Sequence, residues 1–415
     1  MYNFFEGRLL IVRCTLLVAV LALVTSGVLT IYSLGRPAEA GTTSQTDDLV
    51  DYWQKQVQFA LLGAAGFIVV NLINYRLFGA VSYWLYAFML LLLTVLLLDK
   101  FVDIPFVPVI NGTRRWIRFK IAGWTIQPSE FCKLAYILAL AWYLRYRSNY
   151  SKFSALIGPF TLTVLPMVLI LLEPNLGTVL LMMPVLFTML FVAGAKVRHL
   201  MIILLMAVAV SPLLWHFMKP YQRARITSVL LQSDWIRRQA EQSPKFAEIL
   251  VGKNAKFSTE LWKNEWGYHL LRSKYAVASG GTTGYGFRQG PFVKYNFLPE
   301  RHNDFIFAII AHQWGFWGCL TLLGLYVIVI GCGLEIAVYN TDPFGRLVAV
   351  GIVAMFAVEV IVNVSMTLGL MPITGLTLPF VSYGGSSLLV SITSVGLLNN
   401  IGRFRPFSVA PKSFG

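Results

Sequence analysis

The sequence predicts an all-α, polytopic membrane protein of about ten transmembrane helices. Between its helices it places one long outer loop and several re-entrant or irregular segments at the outer face. Three observations carry that reading. Of 415 residues, 57% are hydrophobic and only 13% charged, against about 45–50% and about 25% in soluble domains. Mean hydropathy is +0.66. Several apolar runs exceed the roughly 18 residues that a bilayer-crossing helix requires. A soluble globular enzyme, a disordered chain and a disulfide scaffold are excluded, and residues 1–415 read as a single membrane domain.

The apolar runs divide into ten spans, at 9–33, 56–74, 78–98, 129–146, 155–173, 175–194, 199–217, 305–334, 344–369 and 386–402. The first, led by Arg8 and Arg13, lacks a small-residue cleavage site and reads as a retained span rather than a signal peptide. Short-loop cations set orientation. Arg145, Arg147 and Lys152, then Lys196 and Arg198, then Arg403, Arg405 and Lys412 share one side of a ten-span layout. Both termini are therefore expected in the cytoplasm, and Asp47, Asp48 and Asp51 fall outside. Two outer segments break the positive-inside pattern. One is the short loop at 99–128, with Arg114, Arg115, Arg118 and Lys120. The other is the long stretch at 218–304, which includes helix-like pieces such as Asp234–Leu250 and ends in the flexible run Gly280–Gly286. Long loops escape the rule; a short basic loop on the wrong side calls for an anionic group to bind.

The net charge of +15 is accounted for by helix-end cations and by anionic lipid or diphosphate recognition, without nucleic acid. Cys14, Cys132, Cys319 and Cys332 all fall in apolar runs and read as packing residues. His269, His302 and His312 lack zinc-site spacing. The 11 Trp and the many Tyr and Phe suit interfacial belts. Gly280–Gly286 is a weak candidate for a phosphate cradle. The Asn-x-Ser/Thr matches at Asn111, Asn149 and Asn363 fall on both sides of the predicted membrane and read as chance.

Ionisable groups inside spans are costly and usually functional. In Gln127-Pro128-Ser129-Glu130-Phe-Cys-Lys133, Pro128 suits a helix start, Ser129 can cap it, and Glu130 and Lys133 share one face at i,i+3. A structural ion pair is the plain alternative to a functional one. Glu173-Pro174-Asn175-Leu-Gly177-Thr178 breaks two helices at membrane depth, so it lines a cavity, is buried in protein, or forms a tight turn with a solvated acid. In Phe297-Leu-Pro299-Glu300-Arg301-His302-Asn303-Asp304, Asn303 can cap the next span and Asp304 enters its first turn; acids there are often structural. Met371–Ser387, rich in Gly, Ser and Thr, offers backbone and hydroxyl donors at membrane depth, or forms a re-entrant structural loop. What favours function is convergence: Asp304, Glu130, Glu173 and the Arg114–Arg115 cluster all fall at the outer face.

Five segments in order resemble motifs of the SEDS family (shape, elongation, division and sporulation proteins). They are Asn111-Gly-Thr-Arg114-Arg115-Trp116-Ile, Gln-Pro-Ser-Glu130-Phe-Cys-Lys133, Glu173-Pro-Asn-Leu-Gly-Thr, Phe-Leu-Pro-Glu300-Arg-His-Asn-Asp304-Phe-Ile-Phe and Leu-Pro-Phe-Val-Ser382-Tyr-Gly-Gly-Ser-Ser. The resemblance covers nearly the whole chain, and its wording is closer to the elongation member than to the division member. It implies polymerisation of lipid II into peptidoglycan glycan strands outside the bacterial cytoplasmic membrane, in cell elongation and shape. The implied partners are a class B penicillin-binding protein and other elongation-complex membrane proteins. It implies Asp304 as the essential catalytic acid, Glu130 and Lys133 as an intramembrane pair, and Arg115 on the substrate face.

The chain departs from the family at several places. It has Asn303 and Asn175 where the family usually has Thr and Asp, Arg272-Ser273-Lys274 and Ala278 within the Gly-rich motif, and His312-Gln313 in place of an acidic pair. Its outer loop is also longer, near 228–265. The lost acids argue against a carboxylate metal site; no cofactor is expected, with a divalent cation, Mg or Mn, as the alternative.

Glycan extension needs a base for the attacking sugar hydroxyl, a role that carboxylates fill; Asp304 is the candidate. The departing diphosphate needs cations, and Arg114, Arg115, Lys133, Arg272 and Lys274 are the candidates. Glu130, Glu173, Ser382, Gly384 and Gly385 complete the expected substrate-binding set. A lipid II flippase is the rival reading, and a non-catalytic scaffold for the penicillin-binding protein is a third. A flippase needs a polar path through the bilayer, whereas the charges here gather at one face.

Overall fold

The computed structural model describes residues 4–35, 47–99, 104–109, 113–118, 124–146, 153–218, 220–251, 257–265, 267–295 and 297–403. Lys120, Arg147, Lys152, Arg405, Lys412, Asn111 and Asn149 lie outside them, as do the side chains of Asp47, Asp48 and Asp51.

Ten helices coincide with the ten apolar runs. They are α1 (Phe4–Leu34), α2 (Asp47–Leu72), α3 (Tyr75–Leu98), α4 (Pro128–Leu144), α5 (Ile157–Leu172), α6 (Leu176–Val192) and α7 (Val197–Phe217), and, after the long segment, α14 (Ile306–Tyr339), α15 (Pro343–Thr367) and α16 (Gly385–Arg403). Among the described residues six helices are long and apolar enough to cross a membrane: Leu9–Leu34, Tyr52–Leu72, Tyr75–Leu98, Ser154–Leu172, Ile306–Tyr339 and Pro343–Thr367; Leu176–Val192 and Val197–Ala209 are shorter apolar helices. Their limits follow from local chemistry. Asn74 accepts a hydrogen bond from the Arg76 N–H at the start of α3, and Pro128 and Pro343 open α4 and α15, where a missing N–H costs nothing. Pro166, Pro184 and Pro212 lie inside α5, α6 and α7, which apolar surroundings and neighbouring helices tolerate.

Of the six helices long enough to cross a membrane among the described residues, α15 is the most enclosed. It packs on α14, α6 and α4, while α2 lies along α16, α3 along α4 and α1 along α14. At one end of the bundle Arg13, Asn71 and Asn399 form a hydrogen-bonded chain (Arg13 Nε to Asn399 Oδ1, 2.9 Å; Asn399 Nδ2 to Asn71 Oδ1, 2.6 Å) that ties α1, α2 and α16 together.

The long segment folds as short helices: α8 (Pro220–Leu230), α9 (Asp234–Gln242), α10 (Pro244–Val251), α11 (Thr259–Asn264), α12 (Tyr268–Gly280) and α13 (Pro291–Lys294). Leu231, Ala240, Leu250, Val251 and Trp262 form a small core of their own. The helical piece expected over Asp234–Leu250 is two helices, because Pro244 has no N–H to continue the ladder. Near the opposite end from Arg13 a two-stranded ribbon pairs β1 (Ile117–Arg118) with β2 (Thr125–Ile126).

The glycine run expected to be flexible is instead held by hydrogen bonds. α14 breaks at Gly315 (φ 63°, ψ −158°), and the run docks into the gap. Tyr285 N–H and Gly286 N–H donate to the carbonyls of His312 and Gln313, while Phe316 N–H and Trp317 N–H donate to Gly281 and Thr282. The groups released by the break are thereby satisfied. A Cβ on Gly284 (φ 76°) would lie 2.2 Å from the Gln313 carbonyl oxygen, so no side chain fits there.

Candidate active site

Glu130 and Lys133 sit one turn apart at the start of α4, as the i,i+3 spacing predicts, but they do not form a simple pair. Lys133 Nζ lies 2.8 Å from Glu130 Oε2 and 2.6 Å from Glu359 Oε1, the latter contributed by the middle of α15. Lys133 and Glu359 are each 2% exposed, Glu130 8%. A buried lysine shared by two carboxylates is locally anionic, and each ion depends on the others for its solvation. Ser129 does not cap α4. The cap position belongs to Gln127, whose N–H donates to Ser386 Oγ (2.9 Å), while Ser129 Oγ accepts from Asn175 Nδ2 (3.3 Å).

Asn175 links the Glu173–Thr178 turn to α4. It also caps α6, its Oδ1 accepting from Thr178 N–H. Glu173 is 2% exposed, so the turn is buried in protein and its acid is not solvated. Arg115 Nη2 donates to the Pro174 carbonyl (2.6 Å), which brings the short basic loop onto the same turn. Arg114 is held by Asp99, donating from Nη1 to Oδ2 (2.9 Å) and to the Asp99 carbonyl.

Asp304 lies in a turn before α14. The helix begins at Ile306 with Phe305 at its cap position, so Asn303 is not its cap. Asn303 Nδ2 donates instead to Glu300 Oε2 (3.0 Å). Three neighbours fix the backbone of this turn. Asn363 Nδ2, on α15, donates to the Asp304 carbonyl (3.1 Å) and to the Leu376 carbonyl (2.7 Å). Ser382 Oγ donates to the Asn303 carbonyl (2.8 Å) and accepts from Leu378 N–H, and Tyr383 N–H donates to the His302 carbonyl. Arg301 is buried and caps α13, donating from Nη1 to the carbonyls of Phe292 and Val293 (3.0 Å each). His302 stacks on Tyr52 (4.7 Å) and leans on Tyr383 (5.7 Å).

These contacts join the five segments. Asn363 follows Glu359 by one turn of α15, a rise of about 6 Å, so the Asp304 carbonyl and the ion triad are held by adjacent turns of one helix. Gly375 approaches from the other side: a Cβ there would lie 3.7 Å from Asp304 Oδ2, and Gly375 is exposed, which leaves an open approach to that oxygen. The residues on either side of it pack on α6, where a Cβ on Gly177 would meet the Leu376 side chain at 2.8 Å and the Thr374 carbonyl at 2.9 Å. Gln56 on α2 clamps the last segment, Nε2 donating to the Ser382 carbonyl (3.0 Å) and Oε1 accepting from Gly384 N–H (3.4 Å). Gly385 presses on the Phe59 ring, with no room for a Cβ. The remaining two candidates stand on α12. Lys274 Nζ donates to Gln232 Oε1 (2.7 Å), and the Arg272 guanidinium lies over Tyr268 (5.2 Å) and Phe297 (5.5 Å).

Electrostatics single out Asp304. Enclosure of its carboxyl by protein, then the nearby Glu300 charge, push its pKa up to about 7, against a smaller downward pull from Arg225. A carboxyl titrating near neutrality, with an open approach to one oxygen, is suited to accept a proton. Burial lowers His302 and His269, leaving both neutral at pH 7, and takes Arg301 down to about 10, still a cation there. Among the described residues no three or more His, Cys, Asp or Glu side chains group as a metal site.

Three contributors escaped the sequence reading. Glu359 is an acid in the centre of an apolar run, and that is its sequence signal. Asn363 was visible only as a chance glycosylation match. Arg225 had no signal beyond a short basic stretch.

The bundle and its site define a multi-pass membrane protein whose ionisable groups converge at one end around a near-neutral carboxyl. Residues 14–406 match the model of the cell cycle protein family of FtsW, RodA and SpoVE, and the chain belongs to that family. It is 31% identical to peptidoglycan glycosyltransferase RodA of Treponema pallidum, over 93% of this chain and 96% of the relative. It is 34% identical to stage V sporulation protein E of Bacillus subtilis, over 94% and 96%. Among solved structures, it superimposes on a chain of a structure described as "Structural coordination of polymerization and crosslinking by a peptidoglycan synthase complex", with TM-score 0.70, 29% identity and coverage of 94% and 96%. It also superimposes on the rod shape determining protein RodA of Thermus thermophilus, with TM-score 0.62, 26% identity and coverage of 94% and 96%.

Proposed function

We propose that the chain is a peptidoglycan glycosyltransferase that polymerises lipid II into glycan strands during cell elongation, with Asp304 as its general base. The family and its relatives support the activity. The observation that carries the residue assignment is the near-neutral carboxyl with one open oxygen, on a turn whose backbone is held by Asn363, one helical turn along α15 from Glu359 of the buried ion triad. In this reading the acceptor sugar hydroxyl docks at Asp304 Oδ2 beside Gly375. Asp304 takes its proton as the oxygen attacks the anomeric carbon of the donor and the lipid diphosphate leaves. Lys133, neutralised by two carboxylates, holds α4 and α15 in register rather than meeting the diphosphate directly. Arg115, Arg272 and Lys274 face the anion, and Glu173, Ser382, Gly384 and Gly385 shape the wall.

The protein is embedded in the bacterial cytoplasmic membrane. Both termini lie in the cytoplasm, and 218–304 lies outside, where lipid-linked substrate and a class B penicillin-binding protein partner are found. The neighbouring peptidoglycan synthase complex, in which polymerisation and crosslinking are coordinated, supports that partnership. The test is polymer formation from lipid II by the full-length protein with its transpeptidase partner. The wild-type pair makes glycan chains, and Asp304→Ala makes none while retaining a monodisperse, partner-bound protein. Full activity in Asp304→Ala overturns the base assignment, and absence of polymer from the wild type overturns the polymerase reading.

A further inference from the structure

Arg13 lies four residues into the apolar span Leu9–Leu34 of α1, about 6 Å along the helix from its start. A cation at that depth is costly unless it finds a partner. Among the described residues no carboxylate pairs with it. Its side chain is half-buried, and its one hydrogen bond there is the donation from Nε to Asn399 Oδ1 (2.9 Å) on α16. That bond fixes the plane of the guanidinium. It leaves the edge formed by the two Nη groups, whose fork matches two oxygens of a phosphate.

Arg403 brings a second positive charge to the same place. A Cβ on Gly402 would lie 3.2 Å from Arg13 Cδ and 3.3 Å from Ile336 on α14. The Arg13 side chain therefore runs across Gly402, and the next residue, Arg403, ends α16 with its side chain exposed. Among the described residues Arg403 has neither a hydrogen bond nor an ion pair, and Glu335, the neighbour of Ile336, forms an ion pair with neither arginine. The charge is not what joins the helices. Asn399 Nδ2 donates to Asn71 Oδ1 (2.6 Å) and Asn400 Nδ2 to the carbonyls of Val70 and Ile73, so α2 and α16 are tied without it. An uncharged amide at position 13 would serve the bond to Asn399. Two neighbouring guanidiniums repel each other, and an anion between them reverses the sign of that interaction.

The surroundings make that anion amphipathic. Leu10 and Leu17 stand three residues before and four after Arg13, on its face of α1, and they are 55% and 36% exposed. On a bilayer-crossing helix such leucines meet acyl chains, while an arginine near the helix end carries its head to the level of the lipid headgroups. A zwitterionic headgroup carries its own ammonium, so two arginines select a headgroup with net negative charge. We propose that Arg13 and Arg403 form a binding site for an anionic phospholipid of the leaflet at this end of the bundle, its phosphate bridging the two guanidiniums and its acyl chains lying along Leu10 and Leu17. The site is at the opposite end of the bundle from Asp304 and does not depend on the glycosyltransferase reading. That the leaflet is the cytoplasmic one rests on the orientation proposed above.

The test is lipid binding to the full-length protein in detergent, titrated with phosphatidylglycerol or phosphatidylcholine of matched chains and read by native mass spectrometry. The wild type is expected to bind its first phosphatidylglycerol about tenfold or more tighter than phosphatidylcholine. Arg13→Gln keeps an amide for Asn399 and should weaken phosphatidylglycerol about tenfold, and Arg403→Gln about fivefold, with phosphatidylcholine unchanged; Arg13→Lys should recover part of the loss. Arg198→Gln removes one cation from another exposed helix end and should leave the affinity within about twofold. Because Arg403 is exposed, its replacement reads the site even where Arg13→Gln impairs folding. Unchanged phosphatidylglycerol binding in Arg403→Gln and Arg13→Gln overturns the proposal. So does an equal loss in Arg198→Gln, which would mark diffuse attraction, or displacement of the lipid by millimolar inorganic phosphate, which would mark a site for a small anion.

Discussion

Replacing Lys133 by Met leaves Glu130 and Glu359 facing each other across the space that the ammonium filled. Their oxygens lie 2.8 and 2.6 Å from Nζ, and those two distances together bound the carboxylate separation at 5.4 Å. Two unit charges at that range repel by about 3 kcal/mol at an effective dielectric of about 20. Breaking a buried ion pair from one side typically costs about 3–5 kcal/mol, and Lys133→Met should fall in that range, with one carboxyl taking up a proton. Glu359→Gln is milder. It leaves a neutral Lys133–Glu130 pair and an amide within hydrogen-bonding reach, a loss of about 1–2 kcal/mol. The double variant Lys133→Met/Glu359→Gln retains a single carboxyl, that of the more exposed Glu130, and should be more stable than Lys133→Met alone. The assay is thermal unfolding in one fixed detergent at pH 7.5, read as loss of the monodisperse species. The expected order of midpoints is wild type, Glu359→Gln, the double variant and then Lys133→Met. If Lys133→Met melts at or above Glu359→Gln, or the double variant melts below Lys133→Met, the three residues are not the electrostatic unit described here.

Polymerisation should rise with pH through about 7, the region where Asp304 titrates, because the base must be ionised; Glu300→Gln removes a charge that raises this pKa and should move the acid limb to lower pH, as a kcat/KM profile would show. The same shift has a stability sign. A carboxyl held above its unfolded value makes the native state bind more protons between about 4 and about 7, so stability falls as pH rises there. Asp304→Asn should therefore gain stability relative to wild type across that window and hold the gain above it, in thermal unfolding at several pH values. Gly284→Ala should cost about 2 kcal/mol or more, because the Cβ would strike the Gln313 carbonyl in a left-handed backbone conformation, and the loss should appear as release of amide protection at Tyr285, Gly286, Phe316 and Trp317. Asn363→Ala leaves the Asp304 and Leu376 carbonyls without their donor and should lower polymerisation tenfold or more, with lipid II binding little changed.

The apolar runs alone determined the helical layout. A segment of about 20 apolar residues has few ways to satisfy its backbone in a bilayer other than as a helix, so all ten runs became helices at nearly the expected limits. The same local logic marked Asp304, Glu130 and Lys133, because ionisable groups beside apolar runs stand out without any knowledge of packing. Which charges meet was decided by tertiary structure. Glu359 and Lys133 are 226 residues apart, and no periodicity relates them. Their union depends on α4 lying against α15. The same holds for Asn363 and Asp304 and for Gln56 and Ser382. Capping at Ser129 and Asn303 failed for two different reasons. Ser129 is engaged from across the fold by Asn175, 46 residues away, whereas Asn303 turns back to Glu300, three residues before it, in the turn that precedes the helix.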